Sequence, residues 1–284
     1  MRRLRIEHTT VYRYPAPVTL QPHKLLLRPR EGHDIRIESS RLVISPAHRV
    51  NWQRDVYGNS VGLASFLAPA VDLRVTSEVV IQHYEEAPLD FLVAGYAVQF
   101  PFQYDPAERV NLMAYQIPLF AHDTAELRAW VEQFWRPGQV VETYVLLDTI
   151  NKAIARSIPY ARREQPGVQS PLQTLTDNQG SCRDLATLFI EACRFFGLAA
   201  RFVSGYLHAP GSEQDGATHA WSEVYLPGAG WKGFDSTSGL VTGSDHIAVA
   251  VSRDPETIPP ISGTFIGPPG STPVMEVTVQ VKAV

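Results

Sequence analysis

Cysteine is scarce in this sequence, and its placement excludes a disulfide between the two that occur. Cys182 and Cys193 both lie in "GSCRDLATLFIEACRFFG", residues 180–197 of a 284-residue chain. Apolar residues recur there at helical spacing before a terminating glycine: Leu185, Leu188, Phe189, Ala192, Cys193, Phe196 and then Gly197. Eleven residues of helix separate the cysteines by about 16 Å, whereas the Cα atoms of a disulfide lie within about 7 Å. Two unpaired cysteines favour a reducing cytoplasm.

Long apolar runs and concentrated positive charge are also missing. No apolar segment approaches the roughly 20 residues that span a bilayer, and "MRRLR" leads into "IEHTTVYRYP" instead of an apolar leader. The net charge is -4, and the basic clusters are confined to "MRRLR" and "YARRE". We therefore expect no membrane partner, no nucleic-acid partner and a cytoplasmic location.

The first hundred or so residues show the alternation that is typical of β-strands. "LRIEHTTVYRY", "IRIESSRLVIS" and "VDLRVTSEVVIQHY" alternate apolar and polar positions and are separated by Pro, Gly and Asn clusters. This pattern predicts a β-sandwich-like N-terminal domain over residues 1–115. Residues 84–120 are rich in proline and aromatics without clear periodicity, and we expect them to form the crossing to the next domain.

Helical patterns follow the strands. Asp123 is placed to cap a helix with Glu126 three residues later, a second helix is predicted around residues 142–158, and the cysteine stretch is the third. Strand patterns then return, and the final "VMEVTVQV" is expected to pair with the N-terminal sheet. The prediction is an α+β protein with helices packed on an antiparallel sheet over residues 116–250, followed by a C-terminal extension over residues 251–284.

The two cysteines occupy different positions on the predicted helix. Cys193 lies within the apolar stripe, where a free thiol is usually a small core residue. Cys182 opens the helix after Gly180 and Ser181, beside free backbone N–H groups and the positive end of the helix dipole, which stabilise a thiolate relative to a thiol. This position suits a nucleophile, and the alternative is a buried thiol that merely packs.

A cysteine nucleophile needs a base and a third group that orients the base, and the downstream strands offer both. His219 lies in "THAWSEVYL" and Asp235 in "GFDSTS". Since side chains alternate along strands, the two share a face only if directly paired residue numbers sum to an even number. Pairing Tyr225 with Trp231 around a five-residue loop meets that condition and places Asp235 opposite Trp221. A triad therefore predicts this register.

Each of these residues also has a structural interpretation. A lone strand histidine is more often a hydrogen-bonded structural residue, and Asp235 before "STS" could cap local backbone. Glu223 offers a second carboxylate, although a solvated strand position is favoured. A zinc site formed by His208, Asp215 and His219 is disfavoured by its irregular spacing and by the lack of a cysteine pair.

Three blocks of the sequence carry a family resemblance. "GSCRDLATLFIEACRFFGLAARFVSGYL" and "THAWSEVYLPGAGWKGFDSTSG" resemble the papain-like core of the transglutaminase-like superfamily, in its bacterial branch, and "LRIEHTTVYRYPAPVTLQPHKLLLRPR" resembles the N-terminal β domain that accompanies it. The resemblance implies Cys182 as nucleophile, His219 as base and Asp235 as orienting acid. One departure is that relatives commonly show Asp-Pro-Thr-Asn where this chain has Asp-Ser-Thr-Ser, so the turn lacks the proline and the Asn amide.

The implied chemistry is acyl transfer from a peptide or protein substrate. The Cys182 thiolate attacks an amide or ester carbonyl, His219 protonates the leaving amine, and a thioester results. The Cys182 backbone N–H is the expected oxyanion donor. Tyr160, Gln169 and Trp221 are further oxyanion or substrate-binding candidates, and an ordinary loop role is the alternative for Tyr160 and Gln169.

Several functions stay open at this point. With water as acceptor the protein is a cysteine peptidase or amidase, and with a lysine amine it is a cross-linking transglutaminase. Hydrolysis or small-amine transfer is favoured, because wholesale cross-linking would harm a bacterial cytoplasm. The altered turn adds the alternative of a non-catalytic binding or scaffold protein with the same fold. Thiol acyl transfer needs no cofactor or metal, although superfamily membership leaves calcium open, and family association suggests an ATP-grasp-like ligase as a partner.

Overall fold

The computed structural model describes residues 1–211 and 216–284, apart from the side chains of residues 123 and 124. The described strands are β1 (Arg2–Leu20), β2 (His23–Leu25), β3 (Ile35–Ser45), β4 (His48–Arg54), β5 (Ser60–Phe66), β6 (Ala70–His83), β7 (Gln99–Phe100), β8 (Val141–Glu142), β9 (Ala200–His208), β10 (Gly216–Leu226), β11 (Gly230–Asp235), β12 (Leu240–Val241), β13 (His246–Ser252), β14 (Ile261–Ser262), β15 (Phe265–Ile266) and β16 (Val274–Ala283). The described helices are α1 (Pro106–Gln116), α2 (Thr124–Val131), α3 (Thr143–Ser157), α4 (Pro171–Asp177) and α5 (Cys182–Phe195). None of these helices combines the length and the apolar composition needed to cross a membrane.

The alternating residues of the N-terminal region form two sheets that share an apolar layer. One sheet has the order β15-β1-β6-β3, with β16 also paired to β1, and the other has the order β14-β2-β5-β4. Buried residues of both sheets belong to one cluster: Tyr14, Val18, Leu73 and Val75 from the first sheet, and Leu25 and Ala64 from the second. Because strand residues alternate between faces, the period-two pattern supplies this layer. The β-sandwich-like prediction is confirmed.

The last strand returns to the first, as the sequence predicted. β16 pairs antiparallel with β1, from Leu4 opposite Ala283 to Arg13 opposite Val274. Val281 of β16 is fully buried and lies against the start of β10. The C-terminal strand therefore joins the N-terminal sheet to the next layer, and apolar residues of both regions merge into one cluster. The exact domain boundaries given above stay predictions.

The central sheet and α5 form the layer that carries the site. The sheet is antiparallel with the order β12-β11-β10-β9-β13, and α5 packs on it. Ser222 in β10 donates from Oγ to the Ala186 carbonyl of α5 at 3.0 Å, and Phe234 in β11 stacks on Phe189 of α5 at 5.3 Å. The helix is buried along most of its length and ends before Gly197, whose φ is 75°. The helix predicted from the cysteine stretch is confirmed.

The earlier helices follow the sequence predictions in part. α3 covers the helix predicted around residues 142–158 and buries its apolar stripe. α1 falls in the segment that the sequence left as a crossing, where Asp105 accepts from the Ala107 N–H at 2.9 Å and Pro106 takes the first helical position. Among the described residues of this helix, Leu112 is the one that is buried, so the helix has no apolar stripe from which it could be predicted. The prediction that Asp123 caps α2 concerns a side chain outside the described residues.

Candidate active site

Strand pairing brings His219 and Asp235 to one face of the central sheet. β10 and β11 form a hairpin in which Tyr225 pairs with Trp231, which is the register that a triad required. One further pair closes the ladder beyond Tyr225, so the loop has three residues instead of the expected five. The numbers of paired residues still sum to an even value, so the side chains of His219 and Asp235 project to the same side of the sheet.

A buried carboxylate fixes the turn that presents Cys182. Asp184, in the first turn of α5, is fully buried. Its Oδ2 accepts from the backbone N–H of Ser181 at 2.8 Å and from the Ser181 hydroxyl at 2.6 Å, and its Oδ1 accepts from the Gln169 N–H at 2.7 Å. The turn before Cys182 is thereby tied to the helix. Sequence reasoning missed this role, although Ser-x-x-Asp at a helix start is a recognisable capping signal.

The two cysteines are free and differ in environment, as expected. Cys193 is fully buried, and burial raises the pKa of its thiol. Cys182 is half-buried, and its thiol lies close enough to the His219 ring to help raise the pKa of that ring. Because Cys182 is the first residue of α5, its backbone N–H has no acceptor within the helix.

His219 lies between the thiol and a carboxylate. Its Nε2 is 3.1 Å from Oδ2 of Asp235, so Nδ1 is the ring nitrogen that this contact leaves free for Cys182. Burial alone lowers the pKa of His219, but the hydrogen bond with Asp235, the nearby Cys182 thiol and the negative charges of both groups outweigh burial and raise it to about 10. Burial opposes ionisation of Asp235, yet hydrogen bonds from His219 and His246 hold its pKa well below the usual range. The geometry favours an imidazolium–carboxylate pair.

Asp235 receives more hydrogen bonds than the triad alone requires. Oδ2 also accepts from the Ser238 hydroxyl at 3.0 Å and lies 3.3 Å from Nε2 of His246, while Oδ1 accepts from the Thr237 N–H at 2.9 Å. The side chain of Asp235 is 3% exposed. Sequence reasoning missed His246, because its contact depends on β13 crossing to the far side of β9, and no local spacing encodes that topology.

His219, Asp235 and His246 also form the set within the described residues that could hold a metal ion. Their ligand atoms lie within 4.8 Å of one another, and two imidazoles with a carboxylate is a donor set that zinc accepts. In the described geometry, however, both Nε2 atoms are hydrogen-bonded to one oxygen of Asp235. Hydrogen bonding therefore accounts for the proximity of the three side chains.

Comparison with known proteins identifies the family. Residues 4–82 match the bacterial transglutaminase-like N-terminal region, and residues 138–236 match the transglutaminase-like superfamily core. An uncharacterized protein of Mycobacterium tuberculosis is 30% identical over 294 residues, covering 98% of this chain and 92% of the relative. The chain belongs to the transglutaminase-like superfamily.

Two further comparisons support the superfamily assignment at the levels of sequence and fold. An uncharacterized protein of Mycobacterium leprae is 26% identical over 279 residues, which is 94% of each chain. A crystal structure of a candidate cysteine protease from Cytophaga hutchinsonii superposes with a TM-score of 0.75 at 17% identity, covering 100% of this chain and 91% of that one. The protein therefore has the thiol-dependent enzyme fold of the transglutaminase-like superfamily.

The three other candidates for oxyanion or substrate binding differ in how deeply they are buried. Tyr160 is 55% exposed and close enough to Cys182 for a thiolate there to help raise its pKa, after the larger effect of burial. Trp221 is buried, with its ring 6.2 Å from that of His219. Gln169 is buried behind the turn, where its amide nitrogen donates to Asp177 at 3.2 Å. Their roles in catalysis stay predictions.

The residues of the second-carboxylate and zinc-site alternatives contact other side chains in this fold, where the structure describes them. Glu223 is not simply solvated, because it forms an ion pair with Arg201 at 2.6 Å. His208 contacts Asp245 at 3.1 Å through Nδ1, and Asp215 of the disfavoured zinc site lies outside the described residues.

Proposed function

We propose that this protein is a cysteine acyl-transfer enzyme that cleaves an amide or ester bond through a thioester on Cys182. The observation that carries the proposal is the arrangement of three groups: the Cys182 thiol lies close enough to His219 to raise its pKa, and His219 is hydrogen-bonded to Asp235. Nucleophile, base and orienting acid are the three groups that thiol acyl transfer requires. Cys182 is half-buried, unlike the fully buried Cys193, so the residue is not sealed within the core.

The first half-reaction forms the thioester. The Cys182 thiolate adds to the carbonyl carbon, and the negative charge that develops on the carbonyl oxygen is stabilised by the Cys182 N–H at the start of α5. The intermediate collapses as the protonated His219 gives its proton to the leaving amine. Asp235 keeps Nε2 of His219 engaged, so that Nδ1 is the nitrogen that exchanges protons with the reacting groups.

The second half-reaction regenerates the Cys182 thiolate and the protonated His219. Neutral His219 takes a proton from water or from a small amine, and the resulting nucleophile attacks the thioester carbonyl. Collapse expels the Cys182 thiolate, and His219 retains the proton for the next cycle. We favour water or a small amine as acceptor over a protein lysine, on the argument that protein cross-linking would harm a bacterial cytoplasm.

Trapping the acyl-enzyme tests this proposal directly. Wild type, Cys182→Ala and Cys193→Ala are mixed with a p-nitrophenyl ester, quenched in acid and weighed intact by mass spectrometry. We expect one acyl group on the wild type and on Cys193→Ala, none on Cys182→Ala, and release of that group by hydroxylamine, as for a thioester. Acylation of neither cysteine, or of both equally, would contradict the proposal and favour a scaffold protein.

The acceptor is identified from the fate of the same acyl-enzyme. Faster loss of the acyl group with added cadaverine, together with the acyl-cadaverine product, indicates transfer to amines. A rate that is indifferent to cadaverine indicates hydrolysis. Incorporation of labelled cadaverine into glutamine-containing proteins would overturn the preference for hydrolysis or small-amine transfer and favour a cross-linking transglutaminase.

A further inference from the structure

Asp235 also contacts His246, a residue that has no role in the proposed thiol chemistry. Nε2 of His246 lies 3.3 Å from the same Oδ2 atom that Nε2 of His219 contacts at 3.1 Å. The two rings reach this oxygen from different strands, β13 and β10. The side chain of His246 is 11% exposed, so this polar ring lies inside the site and does not project into solvent.

The hydrogen bonds of His246 define where its proton sits. The backbone N–H of Gly243 donates to Nδ1 of His246 at 3.4 Å. Because an N–H group can only donate, Nδ1 supplies a lone pair, and the ring proton of the neutral imidazole is on Nε2. That proton points at Asp235. His246 therefore donates a hydrogen bond to the Asp235 carboxylate, as His219 does.

The surroundings of His246 hold the ring in place. Its ring stands edge-on to Trp221 at 5.2 Å, and Trp221 also borders His219. Its backbone N–H donates to the Gly243 carbonyl at 2.9 Å, and its carbonyl accepts from Nε2 of His83 at 3.2 Å. A donor fixed on both its backbone and its ring can fix the group that it contacts.

We infer that His246 is a positioning residue of the site: its Nε2–H holds the Asp235 carboxylate in the orientation that keeps Nδ1 of His219 facing Cys182. The inference rests on the proposed thiol chemistry. Ser238 and His246 donate to the same Oδ2 atom that His219 contacts, so the carboxylate cannot rotate without breaking bonds to three side chains. In this chain the Asp-Ser-Thr-Ser turn lacks a proline, and these donors restrain Asp235 in its place.

Two variants of His246 separate the donor from the ring. His246→Phe keeps an aromatic ring beside Trp221 but has no N–H, whereas His246→Gln loses the ring and keeps an amide N–H at about the reach of Nε2. His33→Gln, on an exposed loop histidine, is the matched control. Each protein is dialysed with and without EDTA, checked for folding by circular dichroism, and alkylated with iodoacetamide between about pH 5 and about pH 9, which brackets ordinary histidine and thiol pKa values.

The donor role predicts a split between the two variants. His246→Phe should slow alkylation of Cys182 by about tenfold or more, the order expected for loss of a hydrogen bond to a charged group, and should change the shape of the pH profile. His246→Gln should restore most of the rate and the wild-type profile. The titratable groups around His219 are Cys182, Asp235 and His246, with Tyr160 beside the thiol. Both variants change only His246, so Cys182, Asp235 and Tyr160 are the same in every pH profile that is compared.

The results that overturn the inference differ from those that overturn the proposed function. A slow rate in His246→Gln with a near-wild-type rate in His246→Phe would assign the effect to ring packing. Equal loss in both variants, or no loss in either, would contradict the donor role. A change of the wild-type rate on EDTA treatment would replace the hydrogen bond with a metal site. If instead the wild type shows no His219-dependent reactivity, the thiol chemistry itself fails, and the inference falls with it.

Discussion

His8 in the N-terminal sheet and Tyr206 in the central sheet are hydrogen-bonded, with Nδ1 of His8 2.9 Å from the Tyr206 hydroxyl. The other ring nitrogen of His8 lies 3.0 Å from the Thr10 hydroxyl. His8 is 1% exposed, and burial lowers its pKa to about 4. The contact between the two sheets is thus built around a neutral imidazole.

This contact predicts a loss of stability in mild acid. The pKa of His8 is about 6.5 in the unfolded chain and about 4 in the folded protein, so between these values the unfolded chain binds more protons. The free energy of unfolding should therefore fall as the pH drops from about 6.5 towards 4. In His8→Gln this contribution should be absent, as measured by urea unfolding at several pH values. An identical pH dependence in wild type and His8→Gln, with His33→Gln as control, would contradict it.

His219 predicts the opposite pH dependence. Its folded pKa of about 10 lies above the unfolded value of about 6.5, so the folded protein binds more protons between them. The stabilisation is fully present below about pH 6.5 and is lost as the pH rises towards 10. We expect the difference in unfolding free energy between wild type and His219→Gln to shrink over that interval. A difference that is constant or grows with pH would show that the imidazolium is not stabilised in the folded state.

Asp184 should control both stability and the presentation of Cys182. Asp184→Asn places an amide against donors that now meet a buried carboxylate, and its cost should be about 3 kcal/mol of unfolding free energy, together with slower alkylation of Cys182. Asp177→Asn changes an exposed carboxylate on α4 and should cost less than about 1 kcal/mol. Chemical unfolding and alkylation rates check both, and similar effects from the two variants would contradict the assignment.

Gly205 permits the close packing of the strands behind the site. A Cβ atom there would lie 2.2 Å from the Ile247 carbonyl oxygen and 2.7 Å from the Trp221 ring, which borders both His219 and His246. Gly205→Ala should therefore destabilise the protein by about 3 kcal/mol and disturb the site. Gly95→Ala, where no atom lies within 4 Å, is the control, and thermal unfolding compares them. A Gly205→Ala variant as stable as Gly95→Ala would contradict the packing argument.

The features predicted correctly from the sequence are those encoded by local pattern. The stripe of α5 and its stop at Gly197 follow from periodicity and punctuation. The alternation of β16 marks it as a strand, and its return to β1 was expected because no partner is obvious nearby in the sequence. The Tyr225–Trp231 register follows from the hypothesis that His219 and Asp235 share a face, whereas the predicted five-residue loop is observed with three residues. α1 was missed because it buries little apolar surface, and its start is marked by Asp105 and Pro106 alone.

The parts of the site that escaped prediction depend on long-range convergence. His246 meets Asp235 because β13 pairs with β9 across a register shift between Ala248 and Ala250, and neither the pairing nor the shift has a local signature. Asp184 carried a capping signal, but its burial and its bond to the Gln169 backbone come from a loop that the sequence leaves undefined.

The central claim is that Cys182 and His219 act as a pair, and iodoacetamide labelling tests it most directly. Labelling is followed against pH in wild type and His219→Ala and is mapped by mass spectrometry to Cys182 and Cys193. We predict that Cys182 reacts rapidly well below about pH 8.5, the reference pKa of a free thiol, that buried Cys193 stays protected, and that His219→Ala abolishes the effect. Labelling of Cys182 no faster than an ordinary thiol, or indifferent to His219, would contradict the account.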